Sequence, residues 1–165
     1  AIRRFDDAGR ELPVLRCSGS LITWVTTMPE TLTMTIKNDL AEIEVVSQRI
    51  DDFVARHQLP AKLAFDLNLA VDELLTNVIS YGYEDGLEHT IRVRGVFADR
   101  VMTIEIEDDG RPFNPLEMPE PDLTVALMDR KVGGLGVHLV RQLMDQVEYQ
   151  WQEGKNLLMI KKVVR

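Results

Sequence analysis

A predicted helix that places Glu73 and Asn77 among apolar neighbours constrains the fold and function of this chain most. Residues 65–83 read FDLNLAVDELLTNVISYGY, and their apolar positions recur at the three- and four-residue spacing of one helix face. Pro60 precedes the stretch at a position typical of a first helical turn. Glu73 and Asn77 lie four residues apart, so they project from the same side of the helix, one turn from each other. A carboxylate and an amide in apolar surroundings need either a polar partner or a ligand.

Two further motifs follow this helix along the chain. Residues 104–115 read IEIEDDGRPFNP, which predicts a strand that runs into an Asp-x-Gly turn. Residues 131–140 read KVGGLGVHLV, which predicts a glycine loop that opens into a helix. Each motif alone has a plain structural explanation: a polar pair bonded to the backbone, an acidic turn, and a tight turn that binds nothing. Their occurrence in this order on one chain favours a functional explanation.

The chemistry of the second and third motifs suits different parts of a ligand. A carboxylate at the end of a strand, such as Asp108, can accept a hydrogen bond from an exocyclic amine, and Gly110 would allow close approach. The glycine loop leads into a helix N-terminus, where free backbone N–H groups and the helix dipole favour phosphate.

Taken together, these motifs resemble the GHKL family of ATP-binding domains and, within it, the anti-sigma-factor serine kinases of bacteria. The resemblance spans residues 32–164. It implies that Glu73 is the general base for an attacking serine hydroxyl, that Asn77 is a ligand of Mg²⁺, and that Asp108 binds adenine with Gly110 as its companion. The other nucleotide contacts that the resemblance implies are Pro112, Phe113, Arg130, Lys131, Gly134, Leu135, Gly136 and Val137. Val132 stands where the close family tends to place a phosphate-contacting arginine, so Arg130 or Lys131 would have to substitute for it.

The resemblance implies a function as well as a site. The expected function is an ATP-dependent serine protein kinase that acts as an anti-sigma factor and phosphorylates an anti-anti-sigma partner, with ATP and Mg²⁺ as cofactors. The alternative is a non-catalytic ATP-binding module that binds a protein partner in a nucleotide-dependent way. A detached catalytic domain of a histidine kinase is a third interpretation.

The expected fold is an α/β two-layer sandwich, in which helices cover one face of a mostly antiparallel sheet, as in Bergerat-type ATP-binding folds. The predicted order is strand, helix, helix, two strands, a lid, helix and two strands. The lid covers residues 114–132 and includes a short helix at 123–128. Residues 28–165 are expected to form the ATP-binding domain, and residues 1–27 a poorly defined N-terminal extension. His89 is expected to be exposed at the entrance of the first hairpin.

Composition narrows the partners and the compartment. The formal net charge of −8 argues against direct binding to nucleic acid, which needs a basic face. No apolar run reaches the roughly 18 residues of a membrane span. The single cysteine, Cys17, excludes an internal disulfide and fits a reducing cytoplasm. The resemblance to anti-sigma-factor kinases implies that the partners are proteins, a sigma factor and an anti-anti-sigma protein, with a homodimer as a possible assembly.

Overall fold

The computed structural model describes residues 30–117 and 135–165 of the chain. Several sequence predictions lie outside these residues, namely the N-terminal extension, most of the lid with its short helix, and the site residues Arg130, Lys131 and Gly134. The boundary at residue 28 therefore stays a prediction.

The described residues form one five-stranded antiparallel sheet and three α-helices. The strands are β1 (Glu30–Lys37), β2 (Thr90–Ala98), β3 (Val101–Asp108), β4 (Gln146–Gln152) and β5 (Lys155–Val163), in the spatial order β1-β2-β3-β5-β4. The helices are α1 (Ile43–Arg56), α2 (Ala61–Tyr81) and α3 (Leu135–Leu143), with short 3-10 turns at Leu40–Glu42 and Pro115–Glu117. The predicted element order is confirmed wherever the structure describes the chain.

The alternation of residue types along the strands explains why one face of the sheet is covered. Along β3, Met102, Ile104 and Ile106 are buried, while the residues between them are partly accessible. Ile106 pairs with Val93 on β2 and with Leu158 on β5, so one row of apolar side chains crosses the sheet on the helix-covered face. The opposite face carries accessible side chains, among them Arg94 on β2 and Glu105 on β3, which form an ion pair at 3.0 Å. The predicted two-layer α/β sandwich is confirmed.

Two tight hairpins connect the neighbouring strands. Asp99 and Arg100 join β2 to β3, and both have positive φ, 50° and 63°. Glu153 and Gly154 join β4 to β5 with φ of 54° and 77°. Two-residue loops with positive φ match the right-handed twist of the strands that they join, which fixes the strand register.

The long helix α2 connects the helical layer, because it packs against both α1 and α3. Its predicted core face is confirmed: Leu67, Val71, Leu74 and Val78 are all buried. Pro60 lies at its N-cap, and Gly82 ends it by donating its N–H to the Val78 carbonyl at 2.8 Å. With 21 residues, α2 is about 30 Å long and reaches across the domain. None of the helices within 30–117 and 135–165 has the length and apolar character needed to cross a membrane.

Candidate active site

The middle of α2 carries the first pair of predicted site residues. Glu73 and Asn77 lie one turn apart and are both partly accessible, whereas the core face of the same helix is buried. Burial raises the pKa of the Glu73 carboxyl, and the negative charge of neighbouring Asp72 raises it further. A raised pKa brings this carboxylate closer to the value that suits a proton acceptor near neutral pH.

The N-terminus of α3 lies directly against this carboxylate. A Cβ atom added to Gly136 would lie only 1.9 Å from Glu73 Oε2 and 2.5 Å from Glu73 Cδ, so the observed approach needs glycine. Leu135 begins α3. Because the Val137 side chain is buried, Val137 can contact a ligand only through its backbone N–H group. The structure thus brings the helix motif and the glycine motif together at one place.

Asp108 lies at the end of β3, at a second part of the site. Its side chain is only 3% exposed, and its Oδ1 accepts hydrogen bonds from the Gly110 N–H at 2.9 Å and from Asn156 Nδ2 at 2.8 Å. Burial raises the pKa of the Asp108 carboxyl, and the bonds from Asn156 and Gly110 act against that shift. Neither bond uses Oδ2, so within residues 30–117 and 135–165 this is the carboxylate oxygen left for a hydrogen-bond donor on a ligand.

The turn after Asp108 is docked on the C-terminal end of α2. The Arg111 N–H donates to the Gly82 carbonyl at 2.9 Å, and Arg111 Nε donates to the Tyr81 carbonyl at 2.7 Å. A Cβ atom on Gly110 would lie 2.7 Å from the Gly82 oxygen, so a larger residue would push the turn away from the helix. Gly82 follows Glu73 by nine positions along α2 and its C-cap, which corresponds to about 13 Å along the axis. That span suits an extended nucleoside triphosphate.

Pro112 and Phe113 continue the chain past this turn. Pro112 is exposed, and Phe113 is partly buried with its ring centroid 5.9 Å from that of Tyr81. The two aromatic rings form an apolar wall beside the turn, of the kind that contacts a flat heterocycle in ligand sites.

A family model decides the classification of this chain. The model for the histidine kinase-like ATPase domain matches residues 36–162. The chain belongs to this family. The resemblance to GHKL ATP-binding domains is thereby confirmed, and family membership implies the use of ATP.

Curated relatives of this ATPase domain carry more specific names. This chain is 30% identical over 132 residues to the serine/threonine-protein kinase BtrW of Bordetella bronchiseptica, and the match covers 76% of this chain and 93% of that protein. The chain is also 30% identical over 141 residues to the serine-protein kinase RsbW of Halalkalibacterium halodurans, and this match covers 83% of the chain and 86% of that protein. An anti-sigma F factor of Clostridium acetobutylicum is 30% identical over 97 residues, which cover 59% of this chain and 67% of that protein.

A solved structure supports the fold. The RsbU and RsbW domains of a Mycobacterium tuberculosis protein superpose on 82% of this chain with a TM-score of 0.60 at 14% sequence identity. This chain spans 32% of that longer protein chain.

Sequence reasoning missed Asn156, although a signal for it exists. Asn156 begins the segment NLLMI, and it occupies an inward-facing position of β5 where the alternation calls for an apolar side chain. It pairs across the sheet with Asp108 and is only 4% exposed. A buried amide opposite a buried carboxylate is rare in a core and points to a polar network.

His89 is partly buried, with its side chain 20% exposed, and it is bonded into the loop where the sequence predicts an exposed residue. Its ring stacks on Tyr83 at a centroid distance of 4.6 Å, and its nitrogens lie 3.1 Å from Asp109 Oδ1 and 3.0 Å from Asp85 Oδ2. The physical reason is that the loop between α2 and β2 folds back over the Asp108 turn, so that the imidazole bridges the two carboxylates. Hydrogen bonds to Asp85 and then to Asp109 raise the pKa of His89, against the opposing effect of desolvation.

Proposed function

We propose that this chain is an ATP-dependent serine protein kinase that acts as an anti-sigma factor and phosphorylates an anti-anti-sigma partner. The observation that carries the proposal is the contact between Gly136 and the Glu73 carboxylate, because it joins a phosphate-type helix N-terminus to a potential general base. The names of the relatives, two serine kinases and an anti-sigma factor, support the same function.

Asp108 would recognise the base of the nucleotide. Its Oδ2 accepts a hydrogen bond from the adenine amino group, since Oδ1 is already bonded to the protein. Gly110 keeps the turn closely packed, and the rings of Tyr81 and Phe113 would contact the flat base. A carboxylate that offers only acceptors favours the amino group of adenine over the carbonyl oxygen of guanine.

The phosphates would lie between the two ends of the site. The backbone N–H groups of Gly134 and of the first residues of α3 would donate hydrogen bonds to the phosphates. Arg130 and Lys131 would neutralise the phosphate charge. Within the described ranges, no cluster of three or more His, Cys, Asp or Glu side chains is arranged to hold a metal. Asn77 can offer one amide oxygen, the hard ligand that Mg²⁺ prefers, and this ion commonly takes its other ligands from phosphates and water.

Glu73 would act on the protein substrate. Bound MgATP supplies the phosphoryl group, with Mg²⁺ neutralising charge on the phosphates. The Glu73 carboxylate accepts the proton of the substrate serine hydroxyl while that oxygen forms its bond to phosphorus and the bond to the leaving phosphate oxygen breaks. The raised pKa of Glu73 helps it to hold this proton.

Two variants of α2 distinguish a defect in phosphotransfer from a defect in MgATP binding. Glu73→Gln keeps the shape of the side chain and removes the proton acceptor, so phosphotransfer from labelled ATP to an anti-anti-sigma protein should fall by about 10²–10⁴-fold. Calorimetric affinity for MgATP should stay within a few-fold. Asn77→Ala removes the metal ligand, so Mg²⁺-dependent binding and transfer should both fall. Ser80→Ala, an exposed position on α2, serves as the control.

Unchanged transfer by Glu73→Gln would show that the general-base assignment is wrong. If the wild-type protein binds MgATP tightly but transfers phosphate to no serine partner, the nucleotide-dependent binding module replaces the kinase. We further propose a sigma factor as the second protein partner and a cytoplasmic location. We also propose that the protein forms a homodimer, which sedimentation of the purified protein would test.

A further inference from the structure

A buried amide on β5 is bonded to the turn that follows Asp108. Asn156 Nδ2 donates to Asp108 Oδ1 at 2.8 Å and to the Arg111 carbonyl at 3.0 Å, with a longer contact of 3.4 Å to the Gly110 carbonyl. One side chain from the neighbouring strand therefore holds both the carboxylate and the backbone of the turn. Asn156 belongs to none of the three sequence motifs.

The orientation of this amide is set by its other end. Asn156 Oδ1 accepts from the Phe113 N–H at 3.2 Å and from the Tyr149 hydroxyl at 2.7 Å. A backbone N–H can only donate, so a flipped amide would place its NH₂ group against another donor. The amide oxygen must face Phe113 and Tyr149, and the NH₂ group must therefore face Asp108.

We propose that Asn156, held by Tyr149, is a positioning residue that keeps Asp108 Oδ2 free for adenine and so sets the preference for adenine over guanine nucleotides. This inference rests on the proposed function, in which Asp108 binds the base. With Oδ1 bonded to both Asn156 and Gly110, the carboxylate has one defined orientation and offers a ligand only an acceptor. Without the amide, the carboxyl group can rotate or take up a proton, and a protonated carboxyl can also donate to the guanine oxygen.

The ionisation of Asp108 gives a readout that a purely structural role would not change. The bond from Asn156 lowers the pKa of this carboxyl, whereas burial and the negative charges of Asp109 and Glu107 raise it. Among the residues that the structure describes, Tyr83 and Tyr149 also lie near it, and the titratable ring of His89 is bonded to the adjacent Asp109. Because the ionised form binds adenine, affinity is lost as pH falls through the pKa of Asp108. Loss of the amide raises that pKa, so the variant should lose affinity at a higher pH than the wild type.

The test compares Asn156→Leu, Tyr149→Phe and Gln150→Ala with the wild type. Leucine has nearly the shape of asparagine without its hydrogen bonds, phenylalanine removes only the hydroxyl, and Gln150 is an exposed residue of β4 that serves as the control. Two measurements are made: the carboxyl ¹³C NMR titration of Asp108 in nucleotide-free protein, and calorimetric affinities for MgATP and MgGTP between pH 6 and 8.

For Asn156→Leu, Asp108 should titrate at a higher pH, and affinity for MgATP should fall about ten- to a hundredfold with a smaller change for MgGTP. Tyr149→Phe should change the same quantities in the same direction but less, and it tests the proposal if the leucine variant does not fold. An unchanged titration of Asp108, or equal losses for both nucleotides at every pH, would overturn the proposal. If the wild type binds neither nucleotide, the proposed function fails, while the NMR titration still decides whether Asn156 holds Asp108.

Discussion

Replacing Gly136 by alanine should separate stability from catalysis. The added Cβ would lie 1.9 Å from Glu73 Oε2, so the carboxylate must retreat by about 1.5 Å to reach the 3.4 Å of ordinary van der Waals contact. Because the obstructing atom is the end of a flexible side chain, this movement costs little folding free energy. Alanine is also a better helix former than glycine, by about 1 kcal/mol in a helix interior, and at Gly136, the second residue of α3, that value is an upper limit. The variant should therefore be as stable as the wild type or more stable.

Phosphotransfer should respond in the opposite direction. A misplacement of about 1 Å in a reacting group can cost roughly 10²-fold in rate, so Gly136→Ala should transfer phosphate at about one hundredth of the wild-type rate. The assay is transfer from labelled ATP to the anti-anti-sigma partner, with a thermal melt of the same preparation as the measure of stability.

A double-mutant cycle identifies the cause of this loss. In a Glu73→Ala background, no carboxylate is left to displace, so Gly136→Ala should cause little further loss of transfer. Transfer at the wild-type rate by Gly136→Ala would refute the contact. An equal loss with and without Glu73 would show instead that the alanine acts on the phosphate-binding backbone.

Two further predictions concern Asp108 and His89, which lie at and beside the turn after β3. In Asp108→Asn the oxygen must stay where Asn156 donates, so the new NH₂ group takes the place of Oδ2 and faces the adenine amino group; MgATP binding should weaken by about 1–3 kcal/mol in calorimetry. His89 has a raised pKa, chiefly through its hydrogen bond to Asp85 and also through Asp109, so its stabilising effect is full below its ordinary value of 6.5 and is lost as pH rises through the raised value. In urea unfolding, the wild type should therefore exceed His89→Gln in stability most at pH 5.5 and least at pH 8; a constant difference would contradict this.

The sequence was sufficient to predict those parts of the fold that depend on local periodicity. The apolar spacing along α2 and the alternation along β3 each follow from one element, and both were predicted correctly. Gly110 and Gly136 belong to motifs that are visible in the sequence, and in the structure a Cβ atom at either position would collide with a neighbouring element. A residue type that a site cannot replace leaves a visible motif.

The residues that were missed depend on pairings between distant segments. Asn156 meets Asp108 only through the register of β3 with β5, 48 positions apart along the chain. His89 meets Asp109 only because the loop after α2 folds over the turn. Neither pairing follows from spacing along one element, so the hairpin entrance was interpreted as solvent-exposed.

The two ends of the site meet different physical requirements on one helix. At the C-terminal end of α2, the turn after Asp108 is held by Asn156, Gly82 and Tyr81, which suits recognition of a rigid base. About 13 Å away, Glu73 lies against a bare glycine with a pKa raised by burial, and no hydrogen bond from the described residues opposes that shift. A proton acceptor must be able to form a new bond during the reaction, so a carboxylate already saturated by the protein would serve poorly there. In the proposed function, one carboxylate would thus be held by hydrogen bonds for selectivity, and the other would be left accessible for catalysis.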